Sequence, residues 1–190
     1  MALPAEKDRY TLADALAWEE QDHIELLDGY PVMMAPPTRA HQEAVTALVG
    51  QLYDYLKGKK CMVYAAPFAV RPFEEDGARP EDVDTLVEPD ISVVCDPSKL
   101  DDTGCKGAPD LVMEILSLST MRHDRVTKFN LYQRAGVREY WIVDPVGKLV
   151  QVYLFENGQC TAKELGEGED KVKVNILEDC YIDLSLVFPE

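Results

Sequence analysis

Apolar residues recur at intervals of three and four between residues 38 and 57, which is the period of one face of an α-helix. The apolar set is Val45, Leu48, Val49, Leu52, Tyr55 and Leu56. This spacing predicts the longest helix of the chain, with Gly58 near its C-terminal end. Similar patterns predict a short helix over residues 11–20 and a second long helix over residues 121–135, which Gly136 closes.

The remaining apolar segments are short and have the composition of strands. Asp28-Gly29 separates residues 23–27 from residues 30–34, and this dipeptide favours a two-residue hairpin because its turn needs positive φ. Further strands are predicted at residues 62–71, 88–95, 110–117 and 139–143, with short antiparallel strands at residues 149–155, 159–165 and 171–176. Residues 73–86 and 96–109 are predicted to be loops. The order predicts an α/β (α+β) fold: a mixed sheet flanked by helices, with an N-terminal hairpin and a C-terminal antiparallel meander.

Length and composition set the class of protein. A chain of 190 residues with 46% apolar residues can bury one core, so we expect a single domain over residues 1–190. It has neither an apolar run long enough to cross a bilayer nor the pattern of an export signal, which favours a cytoplasmic location. Its five cysteines are odd in number and form no CxxC pair, so we expect reduced thiols rather than disulfides or a zinc site.

Charge limits the ways in which the chain can bind nucleic acid. The formal net charge is −16, whereas a protein that coats DNA through phosphate contacts carries a basic face. Bound divalent cations reverse the local sign of a carboxylate cluster, so an acidic chain can still act on phosphates. The chain also lacks GxSxG, GxxxxGK[ST], HExxH and GxGxxG, the motifs of acyl transfer, nucleotide hydrolysis, zinc proteolysis and dinucleotide binding.

Two acidic residues lie in adjacent predicted strands. Glu114 interrupts the apolar run of residues 111–116, where an unpaired carboxylate would cost several kcal/mol unless a cation or hydrogen-bond donors met it. The alternative is an edge-strand glutamate that faces water, or an internal ion pair. Asp90 begins the preceding strand and can share a face with Glu114, although Pro89-Asp90 also fits a plain strand start. Two carboxylates on adjacent strands are sufficient for a Mg²⁺ site on a phosphodiesterase.

Other polar residues are candidates for the same site. On the helix over residues 121–135, Lys128 is expected to point partly toward the sheet, where it would stabilise phosphate charge or orient water. The alternative is a surface lysine whose stem lies along the protein. Arg125 belongs to a locally basic group that would contact the phosphate backbone. The other members of this group are Arg122, Lys128, Arg134 and Arg138. Glu25 can occupy either face of its hairpin. His41 and Gln42 begin the longest helix, where they could contact phosphate or metal-bound water, or simply cap the helix.

Several motifs taken together resemble the bacterial Uma-two family of restriction endonucleases over nearly the whole chain. These motifs are residues 23–29, Pro36-Pro37-Thr38 with His41-Gln42, Glu88-Pro89-Asp90, residues 107–117, Asp124 with Lys128 and Tyr132, and residues 135–145. The resemblance implies a restriction-endonuclease-like PD-(D/E)xK fold, in which Asp90 and Glu114 bind Mg²⁺ (or Mn²⁺). Position 116 is leucine where this fold usually has lysine, and the family supplies the amine from the next helix, here Lys128. Glu25, His41 and Gln42 also match family positions, whereas residues 117–120 lack a proline that is frequent in the family.

The sequence therefore favours a Mg²⁺-dependent endonuclease that hydrolyses DNA through a metal-activated water. The alternative is a catalytically inactive module of the same fold that binds nucleic acid or a protein partner, which the acidity and the missing Glu-x-Lys support. RNA or another phosphodiester is a third possible substrate. Enzymes of this fold often pair to cut both strands, so we expect a homodimer.

Overall fold

A computed structural model describes residues 7–18, 24–34, 36–117, 123–168 and 170–188. The first half of the chain contains α1 Leu12–Ala15, β1 Ile24–Leu27, β2 Tyr30–Met33, α2 Arg39–Leu56, β3 Met62–Ala65, β4 Val70–Arg71 and β5 Ile91–Val94. The second half contains β6 Leu100–Asp101, β7 Gly104–Lys106, β8 Leu111–Ile115, α3 Phe129–Ala135, β9 Glu139–Asp144, β10 Leu149–Glu156, β11 Gln159–Glu167, β12 Lys171–Lys173, β13 Tyr181–Asp183 and α4 Leu184–Val187. Short 3₁₀ turns span Pro80–Asp82 and Pro97–Lys99.

A six-stranded mixed sheet organises the molecule, with its strands in the order β11-β10-β9-β8-β5-β3. β8 and β9 are parallel, and each of the other neighbouring pairs is antiparallel. A parallel pair needs a crossover connection, and α3 lies in the segment between β8 and β9. The predicted fold class, a mixed sheet flanked by helices with a hairpin before it and antiparallel strands after it, is confirmed.

Both faces of the central strands are covered, which explains why β8 is buried at every position. Alternate residues of a strand point to opposite faces. One set packs in a core with the buried side of α2: Leu48, Leu52, Ile91, Val93, Leu111, Met113, Ile115, Trp141 and Val143. The other set packs in a core with α3: Val94, Val112, Leu116, Leu131, Tyr132, Tyr140 and Ile142. Glu114 lies in register with this second set and so faces α3.

The predicted hairpin is present. β1 and β2 pair antiparallel with Leu27 opposite Tyr30, and the two residues between them have positive φ, 48° at Asp28 and 83° at Gly29. Positive φ at both central positions is what a tight two-residue hairpin requires. Leu26 also forms a bridge with Leu86, which attaches this hairpin to the segment before β5.

Several predicted boundaries change. Residues 62–71 form two strands, β3 and β4, instead of one. The segment of residues 96–109, predicted as a loop, contains β6 and β7, which join β4 in a separate three-stranded sheet. The helix predicted over residues 121–135 is π-helical from His123 to Lys128 and α-helical from Phe129 onward. The short first helix covers Leu12–Ala15, and residues 19–23 and 118–122 lie outside the described part of the chain.

The expectation of reduced cysteines is wrong for Cys61 and Cys95, which form a disulfide. The register explains the pairing. Met62 lies opposite Val94, so Cys61 and Cys95 meet where β3 begins and β5 ends. A separation of 34 residues along the chain gives no sign of this proximity. Cys105, Cys160 and Cys180 are free thiols. Within the described residues, no helix has the length and apolar character needed to span a membrane.

Candidate active site

The sheet register brings Asp90 and Glu114 together. Ile91 pairs with Met113 and Val93 with Leu111 in the antiparallel β5–β8 pair. Continuing this register by one residue places Asp90 opposite Glu114. The backbone N–H of Ile115 donates to Asp90 Oδ2 over 2.7 Å, which fixes the aspartate side chain against the end of β8.

Asp90 also contacts the start of α2. Its Oδ2 lies 3.2 Å from His41 Nε2, and its side chain is 13% exposed. Oδ1 of Asp90 has no hydrogen-bond partner among the described residues. One oxygen is thus used for positioning, and the other remains available to a ligand.

Local capping positions His41. Thr38 precedes α2 in an extended conformation, and its side chain accepts a hydrogen bond from the backbone N–H of His41, as an N-cap residue does. The imidazole is buried, and Nδ1 has no partner among the described residues. Gln42 follows on the exposed side of the same turn. The first turn of α2 therefore presents an imidazole and a carboxamide beside Asp90.

Glu114 is buried beneath this edge and accepts two side-chain hydrogen bonds at one oxygen. Lys128 Nζ donates to Glu114 Oε1 over 3.0 Å, and the Tyr132 hydroxyl donates to the same atom over 2.6 Å. Lys128 also donates to Glu25 Oε1 over 2.9 Å. Glu25 accepts a further hydrogen bond, 2.9 Å long, from the backbone N–H of Glu88. These contacts join β1, β8 and the segment that leads into α3.

Burial makes this network interdependent. Glu25, Glu114 and Lys128 are each at most 3% exposed, so each charge would carry a large desolvation cost without the others. Burial, together with the carboxylates of Glu114 and Glu25, raises the pKa of Tyr132 well above its ordinary value. The hydroxyl therefore stays protonated and acts as a donor. Lys128 supplies one positive charge against the formal negative charges of Glu25, Glu114 and Asp90.

A cleft opens over these residues, with a volume of about 360 Å³. Its polar lining consists of His41, Gln42, Glu88, Asp90, Glu114, Ser117 and Lys128. Its apolar lining consists of Met34, Pro36, Pro37, Ala66, Pro67 and Ile115. The carboxylates thus face a space large enough for a small ligand.

The structure places most of the predicted site residues around this cleft. Asp90, Glu114, Lys128, His41 and Gln42 line it, and Glu25 contacts it through Lys128. The backbone of Arg125 lies in the π-helical segment before Lys128, and its side chain lies outside the described part.

The arginines of the predicted basic group whose side chains are described form ion pairs with aspartates. Arg134 pairs with Asp28 at 2.5 Å and Arg138 with Asp110 at 3.3 Å. Arg122 lies outside the described residues. Arg134 and Arg138, the two whose side chains are described, are therefore each already paired with an aspartate.

Tyr132 is the site residue that the sequence reasoning left without a role. It lies four residues after Lys128, so the two share a helix face and reach the same carboxylate. The sequence offered one indication of this role: Tyr132 follows Lys128 by four residues, and the buried carboxylate of Glu114 requires hydrogen-bond donors. A tyrosine among apolar neighbours is otherwise indistinguishable from a core residue.

The donor set suits one hard cation. No cluster of three or more His, Cys, Asp or Glu side chains arranged for a metal occurs in the described part of the chain. Mg²⁺ needs fewer protein ligands than this, because it retains several waters and takes one or two carboxylates. Asp90 and Glu114 provide two carboxylates on the same cleft, and Asp90 Oδ1 is without a partner there.

The mixed sheet carries Glu114 in β8 and Asp90 immediately before the adjacent strand β5, with Lys128 in the helical segment that follows β8, and this is the arrangement of a restriction-endonuclease-like fold. The chain belongs to the Uma2 family, described as "Putative restriction endonuclease", whose model matches residues 12–185. It is 27% identical over 141 residues to "Uncharacterized protein slr1290" from Synechocystis sp., an alignment that covers 73% of this chain and 70% of the relative. A crystal structure from Anabaena variabilis, described as a putative nuclease belonging to DUF820, superposes with a TM-score of 0.74. That alignment covers 94% of this chain and 97% of the other at 18% identity, a similarity that establishes the fold alone.

Proposed function

We propose that the chain is a Mg²⁺-dependent endonuclease that hydrolyses DNA phosphodiester bonds. The observation that carries the proposal is the placement of Asp90 opposite Glu114 at the edge of a cleft, with Lys128 bound to Glu114. Membership of a family described as restriction endonucleases supports the same reading. A homodimer, a cytoplasmic location and a single domain stay predictions from the sequence.

Asp90 and Glu114 would hold the cation, Mg²⁺ or Mn²⁺. When bound, such an ion supplies an activated water and stabilises negative charge on the phosphate. Lys128 contributes a fixed positive charge directly beside Glu114, where it stabilises charge that develops on the phosphate oxygens. Glu25 and Tyr132 keep that ammonium and carboxylate in place through buried hydrogen bonds.

The start of α2 would bind substrate. His41 Nε2 lies beside Asp90, and Gln42 lines the cleft from the next position on the helix. The carboxamide of Gln42 donates hydrogen bonds to a phosphate oxygen, and the positive end of the helix dipole favours a negative group nearby. Arg125 is proposed to contact the phosphate on the flanking side.

Cleavage of single-stranded, nicked and duplex DNA, with RNA alongside, tests the proposal. Asp90→Asn and Glu114→Gln should each lower the cleavage rate in Mg²⁺ by at least about 100-fold, because losing a carboxylate removes a direct ligand. Glu139→Gln is the matched control, since Glu139 is also buried on a strand of the sheet but lies outside the cleft. Equal cleavage by the wild type and both site variants would reject the hydrolytic role.

Calorimetric titration with Mg²⁺ distinguishes the enzyme from the second candidate function, an inactive module with the same fold. The acidity of the chain and the pairing of Lys128 with two carboxylates favour this alternative. Mg²⁺ binding that Asp90→Asn abolishes, combined with cleavage, supports the enzyme. Absence of both Mg²⁺ binding and cleavage in the wild type would favour the module.

A further inference from the structure

Most of the exposed surface that lines the cleft is apolar, although polar residues line it as well. Met34, Pro36 and Pro37 come from the connection between β2 and α2, and Ala66 and Pro67 come from the connection between β3 and β4. Phosphate oxygens gain nothing from such surfaces, whereas the flat face of a base packs well against apolar side chains. The lining is therefore suited to a base next to the phosphodiester bond.

The charge at the cleft also favours contact with a base over contact with a phosphate backbone. Lys128 is the one cation that lines the cleft among the described residues, and two carboxylates already bind it. Duplex binders usually neutralise several phosphates with arginine and lysine side chains. Because this chain carries a formal charge of −16, contacts to a continuous double-stranded backbone would be few.

The volume of the cleft adds a geometric limit. About 360 Å³ is near the lower end of the range of roughly 300–1,000 Å³ for small-ligand sites. Bases inside a duplex are covered by their neighbours above and below, so a base reaches such a site only when it is unstacked. Unstacking costs least where the nucleotide is already unpaired.

From these three observations we propose that the substrate of this site is an unpaired nucleotide, in single-stranded DNA or in a flap or bulge, with its base against the Met34, Pro36, Pro37, Ala66 and Pro67 surface. This inference rests on the proposed function and names its substrate class. The unpaired base provides affinity through apolar contact, and the phosphodiester next to it lies over Asp90 and Glu114. Recognition depends on the exposed base and little on the backbone.

Fluorescence anisotropy with labelled oligonucleotides in Mg²⁺ tests the substrate class, and gel analysis of the same samples reports cleavage. The full chain should bind a single strand at least about tenfold more tightly than the matched perfect duplex, and a duplex with a bulge should bind between the two. Between 50 and 200 mM salt, single-strand affinity should fall by less than about tenfold, compared with the 10³–10⁵-fold loss of a protein with many phosphate contacts.

Two neighbouring methionines provide a matched pair of variants. Met34 lines the cleft, whereas Met33 is 57% exposed and does not. Met34→Gln keeps the length of the side chain but makes the surface polar, and it should weaken single-strand binding about three- to tenfold while leaving Mg²⁺ affinity unchanged. Met33→Gln should change neither.

The readouts separate failure of this inference from failure of the hydrolytic function. Equal or tighter binding of the perfect duplex, or equal effects of the two methionine variants, would overturn the unpaired-nucleotide inference even if Mg²⁺-dependent cleavage occurs. A single-strand preference that Met34→Gln reduces would support it even if no bond is cleaved. Absence of binding to every oligonucleotide would overturn it as well.

Discussion

Two glutamates, Glu114 and Glu139, are buried in neighbouring parallel strands of the same sheet, yet their surroundings differ. Glu114 faces α3, accepts hydrogen bonds from Lys128 and Tyr132, and lines the cleft. Glu139 is fully buried and faces the α2 side together with Trp141. Its hydrogen bonds come from neutral donors: Trp141 Nε1, Asn175 Nδ2 and the backbone N–H of Ile176.

Burial therefore does not distinguish a functional carboxylate from a structural one in this fold. Glu114 differs from Glu139 because it shares the ammonium of Lys128 with Glu25 at an open cleft. A third acid, Asp90, lies opposite Glu114 on the neighbouring strand side of the sheet. Glu139 instead attaches the segment before β13 to the start of β9 through Ile176. The comparison predicts that changes around Glu114 affect stability and chemistry together, whereas changes at Glu139 affect stability alone.

The largest expected effect is that of Lys128→Met. Removing the ammonium leaves Glu25 and Glu114 buried without their shared partner, and breaking a buried ion pair in this way costs about 3–5 kcal/mol. Chemical denaturation should show this loss in the free energy of unfolding, and cleavage should fall to background.

Lys173→Met is the control for Lys128→Met, because Lys173 is exposed on β12 and should change stability by less than about 0.5 kcal/mol. A loss below about 1 kcal/mol for Lys128→Met would show that the network contributes little to folding. The role of Lys128 would then lie in cleavage and not in the stability of the fold.

The fold was predictable wherever local residues determine local structure. Asp28-Gly29 fixed the hairpin turn, and the spacing of Leu48 and Leu52 identified the buried face of α2. Glu114 was identified because a carboxylate inside an apolar strand requires partners. Each of these inferences needed only a short stretch of sequence and one simple rule: turn geometry, helical spacing or the free-energy cost of burying a charge.

Tyr132→Phe should have the second largest effect. The phenyl ring fills the same buried space, so the substitution removes only the hydrogen bond to Glu114 Oε1, and a bond to a charged acceptor contributes about 1.5–3 kcal/mol. Cleavage should fall because the carboxylate gains freedom of orientation. Calorimetry should show weaker Mg²⁺ binding, and unchanged Mg²⁺ affinity would contradict a positioning role.

Glu139→Gln should cost about 1–3 kcal/mol in unfolding free energy, because one carboxylate oxygen becomes an NH₂ group that meets a buried donor. Cleavage per folded molecule should equal that of the wild type. Measuring both quantities on the same preparation is the direct test of the comparison between the two glutamates. A large loss of cleavage with intact folding would show that Glu139 acts on the site.

The unpredicted features depend on contacts between distant parts of the chain. Lys128 and Glu25 are 103 residues apart, and they meet where the bridge between Leu26 and Leu86 attaches the hairpin to the segment before β5. The disulfide between Cys61 and Cys95 likewise follows from strand register. The three-stranded sheet of β4, β6 and β7 is built from strands of two or three residues, which are too short to show a period.

The smallest predicted effect is a pH dependence that belongs to Glu139. Burial raises the pKa of Glu139 above its ordinary value of 4.5, and the hydrogen bonds from Trp141, Asn175 and Ile176 offset only part of that rise. Between pH 4.5 and the raised pKa, the folded protein binds more protons than the unfolded chain, so this group's contribution to stability is lost as pH rises.

The sign of this pH dependence can be isolated with Glu139→Gln, which lacks the titrating group but keeps every other one. The difference in unfolding free energy, wild type minus variant, should be largest near pH 4 and fall toward pH 7, by no more than about 1.4 kcal/mol per pH unit. Urea denaturation of both proteins across this range measures it. A difference that grows with pH would mean that the donors around Glu139 outweigh its burial, and the two buried glutamates would then be more alike than their partners suggest.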